Sequence, residues 1–138
     1  MIFTVKEQTR LTDTVYRLTL TGDTSAITHP GQFVQIQLPG FYLRRPISVC
    51  DWDADTLTLI YKVVGEGTKA MTALKPDTEL DLLTGLGNGF DTSLCGDKPL
   101  LVGGGVGLPP MYGLCKALLR EGKHPSVVMG FNTAAEVF

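Results

Sequence analysis

The sequence predicts a six-stranded antiparallel β-barrel followed by the first βαβ unit of an α/β domain. Three observations lead there. Residues up to about 97 hold six short strand-like runs separated by Pro-Gly and Asp-rich turns. After Asp97 the pattern becomes a short apolar run, a glycine cluster, a helical stripe and a second apolar run. Of 16 glycines, eight fall between Gly85 and Gly107, where a tight turn or a close approach is needed.

In chain order, residues 2–9 alternate loosely and residues 14–21 (TVYRLTLT) alternate clearly. Residues 32–38 (QFVQIQL) form a third strand, with apolar Phe33, Val34, Ile36 and Leu38. Residues 45–50, 56–64 and 79–84 supply three more, and six short strands with polar turns suit a small barrel. One helix is expected over residues 68–74, with Ala70, Met71 and Leu74 at helical spacing and a stop at Pro76. Then comes a buried-type strand at 99–102 (PLLV), GGGVG, and a helix over 108–121. Pro109 and Pro110 occupy its first turn, where missing N–H groups cost least. Leu108, Met111, Leu114, Cys115 and Leu118 make one stripe, and Gly122 ends it. A further buried-type strand is expected at 126–131.

The boundary falls near residue 97, giving segments 1–97 and 98–138. Two strands are too few for a doubly wound domain. The second unit therefore reads as incomplete, its remainder lying elsewhere or supplied by another copy. Its open apolar faces predict dimerisation, strand exchange or aggregation.

The composition is that of an ordinary globular chain of 138 residues, 43% hydrophobic and 19% charged. A net charge of −2 with scattered basic residues argues against nucleic-acid and membrane surfaces. The opening MIFTVKEQTR has no long apolar core, so neither a signal peptide nor a membrane anchor is expected. Cys50, Cys95 and Cys115 are odd in number and lack metal or disulfide spacing. A cytoplasmic location is the expectation.

Three motifs carry chemistry. In FYLRRPISVC, Arg44 and Arg45 sit amid apolar residues, a placement that suits a clamp for an anion or, alternatively, two surface arginines. In GEGT (65–68) the amides of Gly67 and Thr68 could face an anion at a helix start; equally, Thr68 could be the N-cap. In GGGVGLPP (103–110) the glycines allow backbone N–H groups to meet a pyrophosphate. His29 and His124 read as surface residues beside prolines, and no general acid–base pair is evident.

Together RPIS (45–48), IYK (60–62), GEGT (65–68), GLGNGF (85–90) and GGGVGLPP resemble, in order and spacing, the ferredoxin-reductase-like flavoproteins. Within them the pattern is most similar to the electron-transfer subunits of bacterial class 1B dihydroorotate dehydrogenases. Ile47, standing where the broader pattern has tyrosine, sharpens that likeness. The resemblance implies an FAD-binding barrel (1–97) and part of an NAD-binding α/β domain (98–138).

It further implies that Arg45, Gly67 and Thr68 hold the FAD diphosphate and that Ser48 meets the flavin edge. Pro46 and Ile47 would shape the pocket, and Ile60, Tyr61 and Lys62 would line the flavin. Gly103, Gly104, Gly105 and Gly107 would face the NAD diphosphate. No catalytic side chain and no metal ligand are expected in this chain. The subunit's [2Fe–2S] cluster needs four thiolates, which three scattered cysteines do not provide, so it is expected only in a longer protein. The implied partner is the FMN-containing catalytic subunit, in a heterotetramer serving pyrimidine biosynthesis. The alternatives are a general NAD(P)H–flavin reductase component serving ferredoxin, a hydrogenase or an oxygenase, and a flavin-free binding module.

Overall fold

The computed structural model describes residues 1–138. Six strands, β1 (Ile2–Arg10), β2 (Val15–Thr21), β3 (Phe33–Ile36), β4 (Arg45–Trp52), β5 (Thr56–Lys62) and β6 (Glu79–Leu86), close into a barrel of order β1-β2-β5-β4-β3-β6. Every pairing is antiparallel. The alternation of β5 explains its placement: Leu57, Leu59 and Tyr61 are buried, while Thr56, Thr58, Ile60 and Lys62 are half-exposed. The core joins Phe3, Leu18, Leu20, Val34, Ile36, Leu57, Leu59, Met71 and Leu82, all without exposure, to six further buried residues. Burying one such side chain contributes roughly 1.5–3 kcal/mol. A single Leu59→Ala change is therefore expected to cost about 2–5 kcal/mol.

Helix α1 (Glu66–Met71) closes one end of the barrel. It starts two residues earlier than the sequence suggests and ends three sooner. Gly65, in extended conformation, is the N-cap. Residues 72–74 tighten into i→i+3 turns, with Ala73 and Leu74 amides bonding the Ala70 and Met71 carbonyls. Six residues are too few for a helix to persist alone. Fully buried Met71 anchors this one. Gln8 Nε2 donates to its terminal carbonyls at Met71 (3.0 Å) and Thr72 (3.3 Å).

After a linker, β7 (Leu100–Gly104), α2 (Pro109–Arg120) and β8 (Ser126–Gly130) form a βαβ unit with β7 and β8 parallel. Leu101, Leu114 and Leu118 make its small core. The expected buried character of the second strand is not what the fold provides. Every residue of β8 is exposed, Val128 at 51% and Met129 at 63%, as are Leu100 and Val102 of β7. The reason is that α2 covers one face only, beside β7.

The unit docks on the barrel through α2 and β4. A Cβ at Gly113 would lie 2.8 Å from the Cys50 carbonyl oxygen, so glycine lets the helix rest on the strand's backbone. Lys116 Nζ ties the same seam to both carboxylate oxygens of Asp51, at 2.8 and 2.7 Å. No helix is long and apolar enough to cross a membrane.

Candidate dinucleotide site

The paired arginines at the start of β4 have different partners. Arg44 is satisfied internally: Nη2 meets Asp81 Oδ2 at 2.5 Å and Nη1 donates to the Asp81 carbonyl at 2.9 Å. Asp81 also receives the N-terminal amine at 2.8 Å. Hydrogen bonds from that amine, then from Arg44, hold its carboxyl below the ordinary aspartate value. Arg45 has no carboxylate partner. Its Nη1 donates to the Leu43 carbonyl at 2.6 Å and its guanidinium lies 4.9 Å from the Phe41 ring centroid.

Arg45 also lies directly against the start of α1. A Cβ added at Gly67 would fall 2.6 Å from Arg45 Cζ and 2.8 Å from Nη2. The first-turn amides of Glu66, Gly67 and Thr68 have no helical acceptor and enter none of the turn, loop or cap hydrogen bonds. One free guanidinium and three free amides therefore share one corner of the barrel. The six-residue helix has little macrodipole, so the donors themselves supply the attraction for an anion. Thr68 takes part through its backbone only. Its hydroxyl accepts from the Val64 and Gly65 amides (2.9 and 3.2 Å) and donates to the Gly65 carbonyl (3.1 Å).

On β4, Pro46 and Ser48 are exposed and Ile47 is half-buried against the barrel core. On β5 the three residues IYK divide. Tyr61 points into the core, 1% exposed, stacks on Tyr16 with ring centroids 5.8 Å apart, and donates its hydroxyl to Gln8 Oε1 at 2.8 Å. Burial, with Tyr16 adding, pushes its phenol up. The resemblance sets this side chain along the flavin; here it is packed in the core. Ile60 and Lys62 face outward, but into different hollows. Ile60 borders a cavity of about 770 Å³ between the barrel wall and α2, with Thr19, Met111 and Met129. Lys62 borders a cleft of about 540 Å³ with Gly104, Gly105, Val106 and Asn132.

That cleft sits at the carboxyl ends of β7 and β8, the general location for ligands of open α/β sheets. Lys62 Nζ is 3.7 Å from Glu136 Oε1, a pair bridging barrel and α/β unit. The glycine cluster also divides. Gly103 and Gly104 belong to β7, not to a turn, and a Cβ at Gly103 would press on Leu108 at 3.0–3.2 Å. Gly103 is thus required for helix packing. Gly105–Gly107 form a single turn; Gly105 has φ +52° and both glycines face open space. Pro109 and Pro110 carry no N–H, and Met111 N already bonds the Leu108 carbonyl. The start of α2 therefore offers no free N–H at residues 109–111, and any anion here would meet the turn amides of residues 105–107.

The three thiols are free: Cys50 is buried in β4, Cys95 is in the linker and Cys115 is on α2. No three His, Cys, Asp or Glu side chains converge. These residues do not fit an iron–sulfur cluster. Sequence reasoning missed Gly113 and the Lys116–Asp51 pair; a glycine inside a helical stripe was the available signal.

No family model matches the chain. It is 41% identical over 97% of its length to the dihydroorotate dehydrogenase B (NAD(+)) electron transfer subunit of Listeria monocytogenes serovar 1/2a, and spans 55% of that protein. Among solved structures it resembles an NADH-dependent reduced ferredoxin-NADP oxidoreductase, at 27% identity and TM-score 0.86, covering 100% of this chain and 51% of that one. It also resembles the ferredoxin reductase in carbazole 1,9a-dioxygenase, at 26% identity and TM-score 0.87, covering 99% and 44%. The fold is that of the ferredoxin reductases.

Proposed function

We infer that this chain, a relative of the dihydroorotate dehydrogenase B electron transfer subunits over nearly its whole length, is the flavin-holding part of such a subunit. The observation that carries this reading is the unpaired Arg45 guanidinium lying on Gly67 at the open first turn of α1. A Cβ at 67 would fill the space the guanidinium occupies, and the donors around it match a diphosphate.

Arg45 and the amides of Gly67 and Thr68 hold the FAD diphosphate in this proposal. Pro46, Ile47 and Ser48 present the start of β4 to the flavin ring, and Ile60 with the β5 backbone borders it. Lys62, steadied by Glu136, brings one positive charge to the interdomain cleft. The turn amides at Gly105 and Gly107 receive the NAD diphosphate at the carboxyl ends of β7 and β8. Bound flavin supplies the conversion between two-electron hydride chemistry and one-electron transfer. The chain's own contribution is placement and charge.

In the longer subunit the [2Fe–2S] cluster lies outside these residues. The proposed partner is the FMN-containing dihydroorotate dehydrogenase catalytic subunit, in a cytoplasmic heterotetramer of pyrimidine biosynthesis. The likeness to ferredoxin reductases keeps a second reading, a reductase component serving ferredoxin or an oxygenase.

The purified chain, freed of cofactor and mixed with FAD, is expected to turn yellow and bind one equivalent. A colourless product at saturating FAD would mean a flavin-free binding module. Co-purification of the longer protein with an FMN-containing dihydroorotate dehydrogenase separates the two electron-transfer readings.

A further inference from the structure

Outside the dinucleotide site, one nucleophilic pair is already assembled. The linker residue Cys95 and Lys123, just beyond α2, meet with Nζ 3.4 Å from Sγ. Both bond the same acceptor: the Thr92 carbonyl takes Lys123 Nζ at 2.5 Å and Cys95 Sγ at 3.2 Å. Glu121 Oε2 lies 3.3 Å from the amine, and its other oxygen accepts from Thr92 Oγ1 at 2.6 Å. The lysine side chain is 19% exposed and Cys95 is half-buried, so the amine is held while small solutes still reach the sulfur. An ordinary surface lysine swings freely; this one has two partners, the Thr92 carbonyl and Glu121, fixing it beside a thiol.

We propose that Cys95 and Lys123 form a peroxide-responsive covalent cross-link joining the interdomain linker to the end of α2. In the first step the Cys95 sulfur attacks a peroxide oxygen. An S–O bond forms, the O–O bond breaks, sulfur loses two electrons, and the thiol proton leaves with the departing hydroxide as water. In the second, Lys123 first gives one ammonium proton to solvent, and the neutral amine Nζ attacks the sulfenic sulfur. An N–S bond forms and the S–O bond breaks. A further proton from the nitrogen leaves with that oxygen as water. One thiol, one ammonium and one peroxide thus give one N–S bond, two waters and a proton. The nearby amine competes with further oxidation of the sulfur, so the bond is a reversible stopping point. Cys50 does not compete, because burial and the Asp51 charge push its thiol up to about 11.

The test is mass spectrometry of the full chain after hydrogen peroxide, intact and by peptide map. Wild type is expected to lose about 2 Da, to yield one peptide joining Cys95 to Lys123, and to revert with dithiothreitol. Lys123→Arg keeps the charge and the donors and should fold; it is expected to give no cross-link and to carry Cys95 on to the sulfinic acid. A disulfide between two of the thiols has the same mass change but survives Lys123→Arg. Survival of the change in that variant, an unmodified Cys95, or wild type gaining about 32 Da at Cys95 as fast as Lys123→Arg, overturns the proposal.

Discussion

Replacing Arg45 by alanine is the sharpest perturbation of the proposed diphosphate site. Its guanidinium has no carboxylate partner and lies against Gly67 in the first turn of α1. A charged hydrogen-bonding group lost from a phosphate contact costs about 1.5–3 kcal/mol, or roughly 10- to 100-fold in dissociation constant. Arg44→Ala removes instead the two bonds to Asp81. It should lower the melting temperature and leave FAD affinity nearly unchanged. Gly67→Ala probes the same contact from the other side, since its new Cβ would sit 2.6 Å from Arg45 Cζ and must displace that side chain. It should weaken FAD binding in wild type but add little to Arg45→Ala, because both remove one interaction. The assay is titration of the cofactor-free variants with FAD, followed by flavin fluorescence, with melting curves alongside. Equal affinity in the Arg44 and Arg45 variants, or full additivity of Gly67→Ala with Arg45→Ala, would refute the reasoning.

Tyr61→Phe should leave FAD affinity unchanged while lowering stability by about 1 kcal/mol in urea unfolding, because the lost hydroxyl fixes Gln8 beneath α1; weaker flavin binding would place that side chain in the site after all. Gly113→Ala inserts a methyl 2.8 Å from the Cys50 carbonyl. Overpacking of about 1–3 kcal/mol is expected to exceed the roughly 1 kcal/mol that alanine gains over glycine in a helix, so a more stable variant would contradict the seam described above. Asp81 is depressed in the folded state by the N-terminal amine and Arg44. Its contribution is thus present above the ordinary value of 3.8 and is lost as pH falls through the lower folded value. Asp81→Asn should flatten the acid limb of a stability–pH curve, and an unchanged limb would assign acid unfolding to other carboxylates.

The strands were legible because period-two alternation is a local property. Six runs bounded by Pro-Gly and Asp turns suffice to propose a barrel, and the Gly-rich junction after Val102 marks the βαβ unit. The same rule states that Ile60 and Tyr61 face opposite sides of β5, without saying which side is core. That was decided by Tyr16 and Gln8, neighbours brought by β1 and β2. The glycine cluster likewise announced a close approach, but packing against Leu108 assigned Gly103 to the helix and left Gly105 and Gly107 facing open space.

By itself, then, the sequence determined the kind and order of the elements and nominated residues 44–45, 65–68 and 103–107 as candidate anion sites, since both follow from residue type and spacing along one chain. Only the tertiary structure decided between two adjacent arginines. Asp81, 37 residues from Arg44, reaches one of them across the barrel wall, while the returning chain brings Gly67 under the other. Which charge is neutralised and which stays free depends on three-dimensional neighbours, and neighbours distant in sequence leave no periodic trace in it.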